Sequence, residues 1–368
     1  MVMSVAAQHA KGKFAQDKIF GANAAAVAAA AKYGKENVTN ATIGAILDEN
    51  ENLVCLPTVE KVYRSLATNE LIAYAPISGL PEYLEGVVTA AFGESRPDAH
   101  IAAVATAGGT GAIHHAIWNY QSEGDTVLCS DWFWGAYKVL CADMHRNFTT
   151  YKMLDENNKF NLPALKEKVE ELLAKQDNLL YILNTPAHNP TGYSLSEEDM
   201  DGVLDVLKEA AKGGKNIILF LDVAYIDYAG EKEEVRKIFK KLTGLPANIL
   251  TIVGYSMSKG FTLYGQRTGA MIGVSSSEEV IKDDFVKVFH FRYLVFCFSL
   301  SRFTFHVWPH ERQVISTDYL AKGKWAEEGA EECTQCEAGT YSEGETSLEC
   351  TQCAEGYMKD AFTDMCVY

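Results

Sequence analysis

The 368-residue chain has no long hydrophobic run. Its most apolar stretch, residues 293–301, is short and flanked by Arg292, Arg302 and His306, so it reads as a buried or disordered segment and not as a membrane span. Residues 1–20 mix Lys, Gln, His and Asp without an unbroken apolar stretch, so no secretory signal is expected. Positive charge is also scarce. Against 49 Asp and Glu stand 33 Lys and Arg, a formal net charge of −16. A nucleic-acid backbone needs a basic face, so nucleic acid is not expected as the main partner; a small anion held by a local Arg and Lys remains compatible. Cysteine is sparse over the first 300 residues (Cys55, Cys129, Cys141, Cys297), as in a reduced cytosolic protein, and a cytoplasmic location without a membrane partner is the expectation. The other five, Cys333, Cys336, Cys350, Cys353 and Cys366, crowd into the C-terminal end and suggest a boundary there.

What the chain does have is alternation. Its length allows two domains and a large core. An Ala-rich helix is predicted over 24–33. Strands are predicted over 102–106, 125–129, 179–184, 217–222 and 249–253, and helices over 112–120, 162–176 and 199–212. Short apolar runs alternating with amphipathic helices predict an α/β fold, a mostly parallel central sheet flanked by helices. Ligands of such sheets gather at the carboxyl ends of the strands. Residues 283–325 interleave Phe, His, Arg and Trp without helical or strand period.

Chemistry-bearing residues fall at those strand ends. Gly108-Gly109-Thr110 opens a helix after a strand, where free N–H groups and the helix dipole favour an anion; a plain strand-to-helix turn has the same pattern. Trp132-Phe133-Trp134-Gly135 follows the next strand and offers an aromatic to a planar ring, or to the core. Asn189, in Asn184-Thr185-Pro186-Ala187-His188-Asn189-Pro190-Thr191-Gly192, can donate its amide to a ligand oxygen or simply make an Asx-Pro turn. Asp222 ends a buried run, where a carboxylate is costly unless paired with a cation, although a helix N-cap also explains it. Tyr225 follows. In Tyr255-Ser256-Met257-Ser258-Lys259-Gly260 a lysine sits among small residues at a strand end, in a tight loop, where it can condense with an aldehyde. Alone, that stretch also reads as a surface lysine. Arg267 and Ser256 supply a fixed charge and a hydroxyl for one phosphate.

Taken together, a phosphate cradle, a stacking aromatic, an amide, a carboxylate, a phenol, a lysine and an arginine suit one ligand, pyridoxal 5′-phosphate. In Asn189-Pro190-Thr191-Gly192, Asp222-Val223-Ala224-Tyr225, and Ser256 to Lys259 with Tyr264-Gly265-Gln266-Arg267, the chain resembles the class I/II aminotransferases of PLP fold type I, the aspartate and aromatic group. The resemblance covers about residues 15–285. It implies an enzyme that moves an amino group between an aromatic or dicarboxylic amino acid and a 2-oxo acid through a Lys259 Schiff base. It implies that Asp222 pairs with the pyridine nitrogen and that Asn189 and Tyr225 bond the ring oxygen. By the same resemblance Trp134 is expected to stack on the ring, with Trp132 competing for that role, and Gly109, Thr110, Ser256 and Arg267 are expected to hold the phosphate. Tyr74 matches a tyrosine that reaches the phosphate of the neighbouring subunit in a homodimer, and Gly44 matches the glycine whose loop covers the substrate. Trp132, Phe133 and Tyr137 tilt the expectation towards aromatic substrates. A β-lyase on the same fold, and an inactive truncated PLP-fold protein with a cysteine-rich interaction tail, are the alternatives.

The expected organisation is an N-terminal substrate-covering segment (1–50), a PLP-binding large domain (51–285), an unassigned segment (286–330) and a cysteine-rich tail (331–368). Past about residue 285 the resemblance fades and the small domain is incomplete. Arg292 and Arg302 are available there, but neither is identified as the family's carboxylate-binding arginine. In the tail, Glu332-Cys333-Thr334-Gln335-Cys336 recurs as Glu349-Cys350-Thr351-Gln352-Cys353. No metal is expected. Tetrahedral zinc on Cys333, Cys336, Cys350 and Cys353 is the weaker alternative to a resemblance with disulfide-stapled repeats of receptors and surface proteins.

Overall fold

The computed structural model describes residues 18–40, 42, 44–50 and 52–289, and the backbone of short strands between Lys324 and Val367. The chain forms two compact units, Met1–Val54 and Cys55–Tyr368. In the first, the Ala-rich run forms helix α1 (Lys18–Tyr33), followed by a 3-10 turn at Lys35–Asn37. Alanine gives up no side-chain entropy in a helix, which is why this stretch is helical.

The second unit opens with helices α2 (Pro57–Ser65), α3 (Thr68–Ile72) and α4 (Pro81–Phe92). It continues through β1 (His100–Ala107), α5 (Gly108–Tyr120), β2 (Thr126–Ser130), α6 (Ala136–Asp143), β3 (Asn147–Tyr151), α7 (Leu162–Leu173), β4 (Asn178–Asn184) and α8 (Glu197–Ala211). Then come β5 (Asn216–Asp222), α9 (Lys232–Arg236), β6 (Ile249–Ser256), the single turn α10 (Met257–Gly260) and β7 (Thr268–Ser275). A further helical segment spans Val280–Lys287. The seven strands form one sheet in the order β1-β7-β6-β5-β4-β2-β3. All neighbouring pairs among β2 to β6 are parallel, and β7 runs antiparallel to both β1 and β6. The mostly parallel sheet expected from the sequence is therefore present. β7, β3 and α4 were not legible in it.

Both faces of the sheet are covered, which explains the unbroken apolar runs of β4, β5 and β6. Alternate residues point to opposite layers. Leu179, Tyr181 and Leu183 of β4, with Ile217, Leu219 and Leu221 of β5, join α4, α7 and α8 through Val87, Leu165, Val169, Val203 and Leu207. Leu180, Ile182, Ile218 and Phe220 join α5 and α6 through Ile113, Ile117, Tyr137 and Cys141 on the other face. Each such buried side chain contributes on the order of 1.5–3 kcal/mol. Helix α8 is started by a capping box, in which Ser196 Oγ accepts from Asp199 N–H at 3.0 Å and Asp199 Oδ2 accepts from Ser196 N–H at 3.1 Å.

Among the described residues no helix is long and apolar enough to cross a membrane. Residues 293–301, Arg292 and Arg302 lie outside the described residues. In the tail, Lys324–Trp325 pairs with Thr334–Gln335, Thr340–Ser342 with Cys350–Gln352, and Met358–Lys359 with Cys366–Val367, all antiparallel. Cys333, Cys336 and Cys353 lie outside the described residues, and Cys350 is described only as strand backbone.

Candidate active site

The carboxyl ends of β4, β5 and β6 lie level, because Asn184 is the register partner of Asp222, and Asp222 of Gly254. Antiparallel β7 starts at that same end, with Gly269 opposite Ser256 and Thr268 opposite Ala107. The topology thus delivers Asp222, Lys259, Arg267 and the start of α5 to the carboxyl end of the parallel strands.

Asp222 is only 7% exposed. Tyr137 Oη donates to its Oδ2 at 2.5 Å, and Ala224 N–H donates to its Oδ1 at 3.2 Å. Burial pushes its carboxyl above the ordinary value, while those two donors pull it back. No ion pair reaches it among the described residues. It does not cap an α-helix; Tyr225 leads instead into a short 3-10 turn, Ile226–Tyr228.

Asn184 ties the neighbouring loops together. Its Nδ2 donates to Asp222 O at 2.8 Å, and its Oδ1 accepts from Asn189 N–H at 2.6 Å. His188 is buried between Thr191 Oγ1 at 2.9 Å and Ser130 Oγ at 3.4 Å, and burial holds its pKa down.

The sequence expectation of a loop around the lysine is corrected. Strand β6 runs through Tyr255 and Ser256, and Met257–Gly260 is one helical turn whose first N–H groups are capped by Ser256 Oγ, which accepts from Ser258 N–H at 3.1 Å. Lys259 is half-buried. Its Nζ lies 5.7 Å from the Tyr225 ring centroid and 5.3 Å from that of Tyr264. Burial first, and then the charge of Arg267, push the amine below the usual lysine value. Burial likewise pushes the Tyr225 phenol up, with Asp222 adding to it.

At the start of α5, Arg267 Nη2 donates to Thr110 Oγ1 at 3.1 Å, and Nη1 approaches Ser258 Oγ at 3.5 Å. Gly108 has φ +68°, and a Cβ there would lie 2.8 Å from Arg267 Nη2. A Cβ on Gly269 would strike the Gly108 backbone at 2.7 Å. Glycine is therefore required on both sides of this close approach. Arg267 itself holds φ +54°, a conformation that costs a non-glycine residue and that clusters at functional sites. Gly109, Thr110, Ser256 and Arg267 thus share one electropositive corner, with the dipole of a 13-residue helix behind it.

The two tryptophans separate clearly. Trp132 is 56% exposed, whereas Trp134 is half-buried and stands edge-on to Tyr137, centroids 5.6 Å apart. Trp134 is therefore linked through Tyr137 to Asp222. Two of the aromatics that tilted the expectation towards aromatic substrates are engaged by other residues of the chain. Tyr137 is fully buried against Asp222, and Phe133 packs on Phe148 at 4.8 Å. Tyr74 is 81% exposed, on a segment pinned to β1 where Ala105 N–H donates to Ser78 O at 2.7 Å. Gly44 belongs to the other unit, Met1–Val54. Among the described residues no group of His, Cys, Asp and Glu is arranged to hold a metal ion.

Comparison with known proteins matches residues 36–294 to the family described as aminotransferase class I and II. Residues 323–362 match the family described as tyrosine-protein kinase ephrin type A/B receptor-like. The chain is 29% identical over 248 residues to the cytoplasmic aspartate aminotransferase of Dictyostelium discoideum, covering 65% of this chain and 54% of that protein. It is 30% identical over 207 residues to the aromatic-amino-acid aminotransferase of Escherichia coli, covering 54% of this chain and 49% of that protein. A solved aminotransferase from Anaerococcus prevotii is similar with a TM-score of 0.79 at 36% identity, covering 86% of this chain and 76% of that one. The chain spans about half the length of the curated relatives it matches.

Proposed function

Because the chain belongs to the class I and II aminotransferases, we propose that it is a pyridoxal 5′-phosphate-dependent transaminase exchanging an amino group between an amino acid and a 2-oxo acid. The observation that carries this reading is the grouping of Lys259, Asp222 and the Arg267–Thr110 corner at the carboxyl end of the parallel strands. The residues fit the cofactor. Asp222 is a buried carboxylate whose charge no cation among the described residues balances, and a protonated ring nitrogen is such a cation. The corner at Gly108 to Thr110 is kept open by glycine, and it combines helix N–H groups with a guanidinium, which suits a phosphate.

When bound, pyridoxal 5′-phosphate supplies an aldehyde and a conjugated ring that accepts the electron pair left at the substrate's Cα. The chain's own residues do the rest. Arg267, Thr110, Ser256 and the Gly109 N–H hold the phosphate. Asp222, whose charged form Tyr137 and Ala224 favour against the cost of burial, would hold a proton on the ring nitrogen. Asn189 and Tyr225 would hold the ring oxygen, and Trp134 would pack on the ring. Lys259, its pKa lowered by burial and then by Arg267, would be the amine that holds the aldehyde and the base that moves the Cα proton.

The substrate is an aromatic or dicarboxylic amino acid, the two classes named for the relatives above. A homodimer, to which Tyr74 contributes across the interface, and a cytoplasmic location belong to the same reading. The test is the visible absorbance of the purified chain with pyridoxal 5′-phosphate, before and after borohydride, followed by peptide mass mapping. A band that reduction fixes onto Lys259, absent in Lys259→Ala, together with keto-acid product from an amino acid, is expected. Full activity in Lys259→Ala, or ammonia and pyruvate as the products, overturns the reading.

A further inference from the structure

The turn that carries Tyr225 also grips the turn that carries Lys259. Tyr228 Oη donates to the main-chain oxygen of Lys259 at 2.7 Å. Next to it, Asp227 accepts from Tyr255 Oη at 3.2 Å through Oδ2. The same carboxylate fills the space above Gly260, where an added Cβ would meet Asp227 Oδ2 at 2.0 Å. Asp227 is fixed from behind. Its Oδ1 accepts from Arg236 Nη2 at 2.9 Å. The Arg236 side chain is 1% exposed, and it is held in turn by Ala90 O at 2.9 Å and Lys232 O at 3.1 Å.

A buried arginine with three acceptors is a costly element to leave incomplete, so its geometry is well determined. The guanidinium therefore fixes Asp227, and Asp227 fixes Tyr255 and the backbone at Gly260. Tyr228 fixes the carbonyl between them.

We infer that Asp227, Tyr228 and Arg236 form a positioning bracket that holds the Lys259 main chain still while its amine is released and moves a proton. This rests on the transaminase reading of Lys259 and deepens it. A lysine that alternates between a bonded and a free amine needs a backbone that does not drift, since small misplacements of a reacting group cost large factors in rate. The bracket acts through Lys259; it is not itself in contact with the reacting atoms. Gly260 follows from it, because no side chain fits beside Asp227.

Tyr228→Phe is the cleanest variant, because Tyr228 is about half exposed and the change removes only the hydroxyl that donates to Lys259 O. The experiment compares it with the wild type and with Gly260→Ala on three readouts: borohydride fixation onto Lys259, the pH midpoint of the visible band, and kcat against KM. The expected result is unchanged fixation in Tyr228→Phe, a displaced pH midpoint, and kcat reduced roughly fivefold at nearly constant KM. Gly260→Ala is expected to move the midpoint further in the same direction. If the wild type is labelled at Lys259 but Tyr228→Phe keeps the wild-type midpoint and kcat, the bracket is overturned and the transaminase reading stands. Lower thermal stability with an unmoved midpoint likewise reduces Tyr228 to a structural role. Absence of labelling at Lys259 in the wild type removes both.

Discussion

Tyr137 donates a 2.5 Å hydrogen bond to Asp222, across 85 residues of sequence and from a fully buried phenol. The donor lies on α6 and the acceptor at the end of β5, so the contact links one covering layer of the sheet to the candidate active site. It also opposes the main cost of the site. Burial disfavours the Asp222 carboxylate, and the Tyr137 hydroxyl stabilises it.

Tyr137→Phe is therefore expected to raise the Asp222 pKa further. The group then stays protonated to higher pH, so the acid limb of the kcat profile shifts to higher pH. The loss of the bond costs about 1–3 kcal/mol at pH values where Asp222 is charged, because a buried acceptor loses its partner. A raised native pKa means this carboxyl contributes more to stability at low pH, and that contribution is lost as pH rises through the raised value. Denaturant midpoints of the wild type and Tyr137→Phe at two pH values check the sign: the gap widens at the higher pH.

Lys259 behaves in the opposite sense. Its lowered native pKa means that the folded chain binds fewer protons than the unfolded one. The resulting cost is full below the lowered pKa and vanishes as pH rises to the ordinary lysine value. Arg267→Gln removes the second cause of that shift. The pH at which Lys259 is half neutral is then expected to rise. Reductive methylation of the cofactor-free chain, with Lys259 followed by peptide mass across pH, reads this directly. An unmoved midpoint means that the Arg267 charge does not reach the amine.

Much of this site was legible in the sequence because apolar runs end at chemistry-bearing residues. Asp222 closes β5, Asn184 closes β4, and Gly108 follows β1 directly, so reading the strand ends located the pieces. Other features were hidden for definite reasons. β7 is built from Thr, Gly, Ala, Met and Ile (Thr268 to Ile272), without the β-branched run that marks β6, and its glycines serve the close approach to Gly108 and Phe285. β3 lies at the sheet edge and is only partly buried, so its apolar pattern is weak. Trp132 and Trp134 both follow β2 closely. What separates them is the turn leading into α6, in which Tyr137 N–H donates to Trp134 O at 3.0 Å and Trp134 comes to stand beside Tyr137. The role of Tyr137 itself depends on a contact between residues far apart in sequence, which no local pattern announces.

Gly108 tests the phosphate corner. Its positive φ and the 2.8 Å approach of a Cβ to Arg267 mean that Gly108→Ala is strained and pushes the guanidinium away from Thr110. A stability loss of about 1–2 kcal/mol is expected from the backbone conformation. Affinity for pyridoxal 5′-phosphate is expected to fall about tenfold or more, as a charge-assisted hydrogen bond is lost. Gly109→Ala places its Cβ at an ordinary 3.4 Å from Ser256 and has no positive φ, so its stability cost is smaller. Thermal melts and cofactor titrations of the two variants distinguish them. Equal melting temperatures for both contradict the conformational argument at Gly108.

Tyr74 gives the sharpest test of the assembly. The side chain is 81% exposed, on a segment held against β1 by the Ala105 to Ser78 hydrogen bond. An exposed tyrosine on a pinned segment is well placed to serve a neighbouring copy. If it reaches the partner's phosphate, Tyr74→Ala lowers cofactor affinity in both sites of a homodimer, while Lys259→Ala removes the reactive amine from both. Mixing and refolding the two variants, assayed at a cofactor concentration too low to load Tyr74→Ala, then yields a hybrid dimer in which one site has an intact Lys259 from one subunit and an intact Tyr74 from the other. Activity is expected to return in the mixture and to track the amount of hybrid dimer. If Tyr74 instead serves its own chain, every site in the mixture lacks either Tyr74 or Lys259, and no activity returns. Recovery measured against the unmixed variants therefore decides between a shared site and a self-contained one.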